Sequence, residues 1–358
     1  MKEPFALINL NSIYENIQVI KKQASEELEL IAVIKADGYG HGAYEVSRII
    51  EKSVSILAVA RLSEALSLRK QGVNKPIMIF SGLNSLEDLL VAVEHRILVV
   101  IHSLFQLELF SALPEEAMLN CWLKFDSGMH RLGLSESEIE KAILIISKQY
   151  KNVIIDGLFT HLSSAESDLQ RTLYQLRFFE SIPQSKSFKT SITNSAGLLS
   201  KYKSFQDYGR LGLSLYGVSP FIDSIGKDLG LKPVMELKAY VISIRMHKAG
   251  EPVGYGGKWV SNNDTKLAVV GIGYADGYPR SISPGCPVLI NGKNYPIVGA
   301  VSMDLISVDI GLVNNVQELD EVTLWGPKLP VEIIAKSAGM IPYELLVGVT
   351  KRVARVYS

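Results

Sequence analysis

A single lysine stands at the end of the first strongly apolar run of this chain. The run IAVI covers residues 31–34, Lys35 follows it, and GYGHG occupies residues 38–42. Burial and neighbouring cations lower the pKa of such an amine, which can then form a Schiff base or accept a proton. Glycines let a ligand approach the backbone, and Tyr39 offers a hydroxyl to an anion. We therefore predict a chemical role for Lys35, the alternative being a lysine that extends into solvent from a strand end.

Further cationic side chains follow a later apolar run. The segment LKFDSGMHRLG (123–133) carries Lys124, Asp126, His130 and Arg131. An arginine such as Arg131 can bind a carboxylate through two parallel hydrogen bonds. This segment predicts a site for an acidic substrate group, and a polar loop ended by glycine is the alternative.

Three more segments have polar side chains close to the end of an apolar run. These side chains are His161, Asn194, Ser195 and Arg210. Backbone N–H groups at a helix start bind phosphate, and barrel proteins often have a phosphate site after their seventh and eighth strands. A strand-end lysine, a phosphate site and arginines that keep their protons near neutral pH suit pyridoxal phosphate as the cofactor.

The spacing of glycines and histidines excludes two other kinds of site. Neither GYGHG (38–42) nor GIGYADG (271–277) has the G-x-G-x-x-G spacing of a dinucleotide-binding turn. The six histidines are scattered, and no pair has the spacing of a zinc site on one helix. We therefore expect neither a dinucleotide nor a metal ion.

The elements that position these residues recur between residues 31 and 217. Eight short apolar runs are present, namely IAVIK (31–35), ILAVA (56–60), IMIF (77–80), ILVVI (97–101), CWLKF (121–125), IIDGLF (154–159), TSIT (190–193) and LSLYG (213–217). Amphipathic segments such as 85–95 and 137–150 separate them. Apolar strands buried on both faces form parallel sheets covered by helices. Eight such units predict a (β/α)8 barrel with its site at the carboxyl ends of the strands; an open doubly wound sheet is the alternative.

The pattern changes after the connector 219–233. The later segments alternate apolar and polar residues and are separated by turn signals such as NNDT (262–265) and NGK (291–293). They predict a C-terminal, mostly antiparallel β domain with one late helix near residues 331–339. We assign the barrel to residues 1–228 and the β domain to residues 229–358, with residues 1–9 a candidate strand that joins the C-terminal domain.

Composition narrows the classes of partner. The 37 basic and 37 acidic residues leave no net charge that would attract nucleic acid or a membrane surface. The N-terminal segment lacks a signal-peptide pattern, and no run of about 18 apolar residues is present. Cys121 and Cys286 lie far apart, which favours buried thiols over a disulfide framework. We expect a cytoplasmic protein that acts on a small molecule.

In their order along the chain, these segments resemble the bacterial alanine racemase family. The resemblance runs from AVIKADGYGHG (32–42) through FTHL (159–162), NSA (194–196) and GYADGYPR (273–280) to YELLVGVTKRVARVY (343–357). It implies a fold-type III pyridoxal 5'-phosphate enzyme and a homodimer whose active sites are shared between subunits. The implied activity is the interconversion of L-alanine and D-alanine, which supplies D-alanine for peptidoglycan. A serine or broader-specificity racemase of the same family is the alternative.

The resemblance implies two catalytic bases. Lys35 would hold the cofactor as an aldimine and act as one base. Tyr255, in PVGYGGKW (252–259), would be the second base and would come from the other subunit to the opposite face of the cofactor. Removal of the α-proton by one base and its return by the other would invert the α-carbon. Arg210 would face the pyridine nitrogen and keep it unprotonated, and His161 would hydrogen-bond Arg210.

The same resemblance implies the residues that bind the cofactor phosphate and the substrate. The cofactor-binding set adds Tyr39, Asn194, Ser195, Gly212, Leu213 and Tyr343. Arg131 and the backbone of Met303 would bind the substrate carboxylate, with Met303 supplied by the partner. Tyr274 and Arg280 resemble gate residues at the substrate entrance.

One modification and two departures from the family concern the same site. Lys124 matches a lysine that the family often carbamylates, which gives an anion that orients Arg131; an unmodified lysine paired with Asp126 or chloride is the alternative. Ala300 stands where the family commonly has arginine, and Ser302 stands where it has cysteine. The change at Ala300 would widen or neutralise the entrance.

Two related classes of pyridoxal-phosphate protein fit less well. Amino-acid decarboxylases on the related barrel carry a cysteine-bearing catalytic motif in their C-terminal domain, whereas this chain lacks that cysteine and has the Tyr255 motif. Small single-domain barrels that bind the cofactor without catalysis lack a counterpart of residues 234–358. The racemase interpretation therefore stands first.

Overall fold

A computed structural model describes residues 2–25, 27–200 and 205–358 of the chain. The first strand, β1 (Phe5–Ile8), lies outside the barrel. The barrel strands are β2 (Glu29–Val33), β3 (Ile56–Val59), β4 (Ile77–Ile79), β5 (Ile97–Ile101), β6 (Leu119–Lys124), β7 (Val153–Phe159), β8 (Lys189–Ser191) and β9 (Tyr208–Leu211). They pair in parallel in chain order, and β9 pairs with β2 to close the barrel. The predicted (β/α)8 barrel is confirmed, and the open doubly wound sheet is excluded.

Helical segments precede β2 and connect the barrel strands. They are α1 (Leu10–Ala24), α2 (Lys35–Tyr39), α3 (Ala43–Ile50), α4 (Leu62–Lys70), α5 (Leu86–Glu94), α6 (Phe105–Glu108), α7 (Glu136–Gln149), α8 (Leu169–Ser181) and α9 (Ser195–Leu199). Of these, α2 has left-handed rather than α-helical φ angles at residues 36–38. The helices predicted at 85–95 and 137–150 are confirmed as α5 and α7. Each begins at a serine, because the Ser85 hydroxyl accepts the N–H of Asp88 and Glu138 accepts the N–H of Ser135.

The continuous apolar runs arise because each barrel strand is buried on both faces. Alternate residues form a cluster inside the barrel, namely Ile31, Ile56, Ala58, Met78, Val100, Trp122 and Phe159. Their neighbours along the strands, such as Ala32, Leu57 and Ile79, belong to the larger core that includes buried helix residues. A strand with two buried faces loses the alternation of polar and apolar residues that marks a half-exposed strand.

The prediction of the eighth barrel strand at LSLYG (213–217) was wrong, because the strand begins five residues earlier. The strand is β9, and residues Leu213–Tyr216 form a 3-10 turn. Gly212 ends the extended conformation with a ψ angle of −105°, and the run that follows is buried beneath the strand ends, where the Tyr216 hydroxyl donates to the carbonyl of Val33 at 3.1 Å. Because this turn is buried, its residues are as apolar as those of a barrel strand.

The C-terminal sheet is mostly antiparallel, as predicted. Its strands are β10 (Met235–His247), β11 (Pro252–Val253), β12 (Trp259–Val260), β13 (Thr265–Val270), β14 (Pro287–Ile290), β15 (Lys293–Val298), β16 (Ile306–Asp309), β17 (Glu321–Trp325) and β18 (Ala354–Tyr357). The β11 and β12 pair stands apart, and β1 pairs with both β10 and β18. The division between residues 228 and 229 stays a prediction, and residue 1 of the candidate strand lies outside the described residues.

Two late helices lie between β17 and β18, where the sequence predicted one. The predicted helix is confirmed as α10 (Val331–Ala338), and α11 (Pro342–Gly348) was missed. Seven residues with two buried leucines give too short a repeat to reveal a helix by periodicity. Other 3-10 turns span Leu109–Ala112, Pro183–Lys186, Gly226–Leu229, Tyr255–Gly257 and Tyr274–Asp276.

Two expectations from composition concern the thiols and the membrane. Cys121 and Cys286 are both free and buried. Burial raises the pKa of both thiols, so they stay protonated. Among the helices of the described residues, none combines the length and the apolarity needed to cross a bilayer.

Candidate active site

The chain turns in a left-handed sense directly after Lys35. Strand β2 ends two residues before Lys35. The next four residues, 36–39, have φ angles of 51°, 55°, 61° and 53°. For residues other than glycine this region costs roughly 1–2 kcal/mol each, so such a turn persists only where its surroundings hold it. Lys35 therefore lies at the end of the first barrel strand on a strained and tightly held segment.

Two other elements hold this turn. In α4, Glu64 Oε1 accepts the N–H of Ala36 at 2.6 Å, while its Oε2 accepts two N–H groups at the start of the helix. From the C-terminal domain, Arg355 Nε donates to the carbonyl of Gly40 at 3.1 Å, and its other nitrogens donate to three carbonyls within residues 349–353. The segment that carries Lys35 thus joins both domains.

Gly40 provides a test of how tightly the turn contacts α11. Its φ angle is +81°, and a β-carbon at Gly40 would lie 2.3 Å from the carbonyl oxygen of Leu346. We expect Gly40→Ala to lower the free energy of unfolding by about 2–5 kcal/mol, since left-handed strain costs about 1–2 kcal/mol and overpacking adds about 1–3 kcal/mol. Urea unfolding measures the difference.

Gly72 is the matched control for this prediction. It has a similar φ angle of +88°, and nothing lies within 4 Å of a β-carbon built there. Gly72→Ala should therefore cost only the strain of about 1–2 kcal/mol. Equal losses in the two variants would show that the turn yields to the added methyl group.

Four cationic groups gather at the carboxyl ends of strands β2, β6 and β9. Burial lowers the pKa of Lys35, and the positive charge of Arg131 lowers it further. Burial, together with Arg131 and Arg210, lowers the pKa of Lys124 to about 8. Because like charges disfavour each other, the cluster raises the free-amine fraction of both lysines and attracts anions.

The carboxylates near these cations are already engaged with backbone groups. Glu64 raises the pKa of Lys35 and Asp126 raises that of Lys124, but neither outweighs the burial. Asp126 Oδ1 accepts three N–H groups of residues 128–130 at 2.9–3.0 Å. The cluster therefore has a surplus of positive charge in the described part of the chain, which suits a bound anion.

Arg210 is the most buried of these cations, with 3% of its surface exposed. It donates to the Ser191 hydroxyl at 2.8 Å and to the carbonyls of Thr160 and Ile192 at 2.6 and 3.0 Å. Its Nη2 lies 3.4 Å from His161 Nδ1. Burial, with Arg210 beside it, lowers the pKa of His161 well below its usual value. His161 is therefore neutral, and its Nδ1 can accept from the guanidinium.

Hydroxyl groups and backbone N–H groups form a pocket between α9 and the end of β9. Ser195 Oγ accepts the N–H of Gly212 at 3.0 Å and that of Ser214 at 3.4 Å. A β-carbon at Gly212 would lie 3.0 Å from the Tyr39 hydroxyl. The Tyr343 ring lies 5.7 Å from the Tyr39 ring. Burial raises the pKa of both tyrosines, that of Tyr343 to about 12, so both hydroxyls can donate.

Asn194 caps the short helix that carries Ser195. It lies three residues beyond the end of β8, where it caps α9 by accepting the N–H of Gly197 at 3.0 Å. The helix has only five residues. Asn194 therefore orients Ser195, which is the first residue of that helix.

The donors of this pocket fit pyridoxal phosphate. Neutral hydroxyls, backbone N–H groups and a glycine where a β-carbon would crowd Tyr39 form a cradle for phosphate oxygens. The buried Ser214 hydroxyl has no hydrogen-bond partner within the described residues. Lys35 supplies an amine with a lowered pKa, and Arg210 supplies a buried cation. These groups match the aldehyde, phosphate and ring nitrogen of the cofactor in chemistry.

Four predicted site residues of the C-terminal domain lie on the surface, namely Tyr255, Tyr274, Arg280 and Met303. Tyr255 is 72% exposed and Met303 is 52% exposed. Within the described part of the chain, no hydrogen bond or ring contact joins either side chain to the barrel residues. Tyr274 lies beside Met303, since its N–H donates to the carbonyl of Ser302 at 3.1 Å, and Arg280 is exposed. One chain alone therefore brings Tyr343 to the barrel residues but leaves Tyr255 and Met303 on its surface.

The two departures from the family pattern lie beside these exposed residues. A β-carbon on Gly254 would lie 3.6 Å from the backbone nitrogen of Ala300, which places Ala300 next to the Tyr255 turn. Ser302 closes a turn, because its hydroxyl donates to the carbonyl of Leu305 at 2.8 Å. The serine makes a hydrogen bond that a thiol would make only weakly.

Three residues of the site were not found from the sequence. They are Glu64, Ser214 and Tyr216. Ser214 stands two residues after Gly212 in a segment that had been interpreted as a strand, and a turn assignment would have pointed to it. Glu64 lies in the first turn of α4, after the second barrel strand, and the parallel pairing of β2 with β3 brings it to Ala36.

Comparisons with known proteins match both parts of the chain. Residues 8–220 match the family model described as "Alanine racemase, N-terminal domain", and residues 234–357 match "Alanine racemase, C-terminal domain". A curated alanine racemase of Yersinia pestis is 43% identical over 359 residues, covering 100% of this chain and 99% of its own length. One of Pasteurella multocida is 44% identical over the same shares.

Solved structures are similar over the whole chain. The biosynthetic alanine racemase of Pseudomonas aeruginosa has a TM-score of 0.93 at 35% identity, with 100% of both chains covered. The alanine racemase of Acinetobacter baumannii has a TM-score of 0.93 at 32% identity, also with 100% of both chains covered.

Proposed function

Because both of its parts match the family models, this chain belongs to the alanine racemase family, and we propose that it interconverts L-alanine and D-alanine. The observation that carries the proposal is the meeting of Lys35, Arg210 and a hydroxyl-lined phosphate cradle at the carboxyl end of the barrel. The serine or broader-specificity alternative is not favoured, since the similar curated proteins and solved structures are alanine racemases.

The cofactor of this reaction would be pyridoxal 5'-phosphate. Tyr39, Ser195, Tyr343 and the backbone of Gly212 and Leu213 would hold its phosphate, and Ser214 adds a buried hydroxyl to that set. Lys35 would hold its aldehyde carbon. When bound, the cofactor withdraws electrons from the α-carbon of the substrate and so lowers the barrier to losing the α-proton.

Two bases on opposite faces would invert the α-carbon. Burial and Arg131 lower the pKa of Lys35, which favours the free amine that can take a proton. The Tyr255 hydroxyl would provide the second base from another copy of this chain, which agrees with its exposure on the surface of one chain. One base would remove the α-proton and the other would return a proton from the opposite side.

Arg210 would limit the reaction to proton exchange. Its buried guanidinium keeps its protons, and three acceptors of the barrel hold it in place. A cation that donates to the pyridine nitrogen prevents that nitrogen from taking a proton itself, which weakens electron withdrawal and discourages side reactions. His161, being neutral, would support Arg210 as an acceptor.

The substrate would be held by its carboxylate and would reach the site between subunits. Arg131 would bind the carboxylate in a bidentate manner, with the backbone of Met303 from a second copy of the chain. Tyr274 and Arg280 would line the entrance. This arrangement requires a homodimer with shared sites, and the exposed Tyr255 and Met303 surface is the face that we assign to it.

A chiral assay tests the proposed function. The purified protein, loaded with pyridoxal phosphate, would be incubated separately with L-alanine and L-serine, and the D-enantiomers would be separated by chromatography. We expect D-alanine to form faster than D-serine. Faster formation of D-serine, or no D-amino acid from either substrate, would contradict the assignment.

We further propose that Lys124 is carbamylated. The free amine would attack carbon dioxide to form an N–C bond and release one proton, which leaves a carbamate anion. Burial and the nearby arginines lower the pKa of Lys124 to about 8, so roughly a tenth of the amine is free at pH 7 and about half at pH 8. The anion would offset the surplus of cations and orient Arg131 through charge-assisted hydrogen bonds.

Carbon-13 NMR with labelled bicarbonate tests the carbamate. We expect a carbamate signal whose intensity rises as the pH is raised from about 7 to about 9, because deprotonation of an amine with a pKa near 8 favours the reaction. The signal should be missing in Lys124→Arg. A spectrum that is the same in both proteins would assign the signal elsewhere and leave Lys124 unmodified.

A further inference from the structure

The left-handed turn after Lys35 is followed by His41, which is not among the residues assigned to bind the cofactor or the substrate. His41 is fully buried. Its Nδ1 lies 3.0 Å from the carbonyl oxygen of Gly38 and 2.9 Å from that of Tyr39. Both neighbours are acceptors, so Nδ1 carries the hydrogen and donates to them. Burial lowers the pKa of His41 to about 4, and the ring is therefore neutral.

The ring of His41 also belongs to an aromatic stack that spans Lys35. The rings of His41 and Tyr216 lie 4.4 Å apart, and those of Tyr216 and Tyr39 lie 5.0 Å apart. The Tyr216 hydroxyl donates to the carbonyl of Val33 at 3.1 Å, which is the last residue of β2. The stack thus contacts the backbone of Val33 before Lys35 and includes the side chain of Tyr39 after it.

We propose that His41 is a positioning residue, whose ring N–H closes the left-handed turn and thereby fixes Lys35 and the Tyr39 hydroxyl relative to each other. The inference rests on the proposed function, because these two groups are the ones assigned to the aldehyde and phosphate ends of one cofactor. The carbonyls of Gly38 and Tyr39 lie within a run of five residues, 36–40, that have positive φ angles. The Gly38 carbonyl also accepts the backbone N–H of His41 at 3.1 Å, so the ring N–H matters most to the buried carbonyl of Tyr39. Without that donor the Tyr39 carbonyl favours a different backbone path.

Two substitutions separate the effect of losing the N–H donor of His41 from the effect of losing its aromatic ring. His41→Phe keeps an aromatic ring next to Tyr216 but has no donor. His41→Asn places an amide N–H close to the position of Nδ1 and loses the ring. We expect His41→Phe to weaken the binding of pyridoxal phosphate to the apoprotein by about tenfold or more, because the buried carbonyl of Tyr39 loses its ring N–H donor. His41→Asn should bind the cofactor more tightly than His41→Phe, even though it removes more packing.

A histidine in the C-terminal domain provides the matched control. His247 is buried, its Nε2 lies 3.0 Å from the carbonyl of Glu251, and its ring lies 6.2 Å from the Trp259 ring. His247→Phe therefore removes a similar bond in a similar setting without touching the turn. It should lower the unfolding temperature while leaving the dissociation constant of pyridoxal phosphate unchanged.

Absorbance titration of each apoprotein with pyridoxal phosphate, together with its thermal unfolding, distinguishes the outcomes. Tight binding by wild type and His41→Asn with weak binding by His41→Phe supports the inference. Cofactor affinities that follow the unfolding temperatures of all three variants would reduce His41 to a packing residue and overturn it. A wild-type protein that does not bind pyridoxal phosphate at all would instead contradict the proposed function.

Discussion

Replacement of Lys35 by alanine is expected to lower the rate of racemisation by about 10,000-fold or more, since the variant loses both the bond to the cofactor and one of two bases. The residue lies after β2 with a pKa lowered by burial and by Arg131. Chiral chromatography measures the rate. Borohydride reduction followed by peptide mass mapping should attach the cofactor to residue 35 in the wild type and to no residue in Lys35→Ala.

Lys70→Ala is the control for this change. Lys70 is exposed at the end of α4 on the outside of the barrel, so its loss should leave the rate and the labelling unchanged. Attachment of the cofactor to Lys124 in the wild type, which is the other buried lysine of the cluster, would contradict the role of Lys35.

Tyr255→Phe is expected to slow racemisation by about 100-fold to 10,000-fold, because the variant keeps the ring but loses the second acid–base group. The loss should be unequal in the two directions. Exchange of the α-proton with deuterated water should remain for the enantiomer whose proton faces Lys35 and should fall for the other. Tyr14→Phe changes another exposed tyrosine, on α1, and should alter neither rate.

Mixed dimers test whether Tyr255 acts on the site of a second chain. Each of the variants Lys35→Ala and Tyr255→Phe should be inactive alone. Dissociating and reassociating them in equal amounts should restore about a quarter of the wild-type activity, because half of the dimers are hybrids and each hybrid has one intact site. No recovery, despite hybrid dimers seen by native mass spectrometry, would place both residues in the site of one chain.

The barrel and the identity of its main groups followed from the sequence alone. Strands buried on both faces need continuous apolar runs, and such runs between amphipathic segments gave the eight β/α units. Polar residues at the ends of those runs must meet at one face of a parallel barrel, which groups Lys35 with Lys124. The role of Arg210 followed from the family resemblance, since it precedes the run LSLYG (213–217) predicted as the eighth strand. Alternation of polar and apolar residues likewise predicted the antiparallel C-terminal sheet.

The tertiary structure alone decided the conformations and partners that local pattern leaves open. The run LSLYG (213–217) is as apolar as a strand, yet Gly212 turns it into the 3-10 segment that brings Ser214 to the cradle. Glu64 and Arg355 reach the turn after Lys35 from distant parts of the chain, and no spacing of residues predicts that turn to be left-handed. Its strain is stabilised by contacts between elements, and such contacts exist only once the chain has folded.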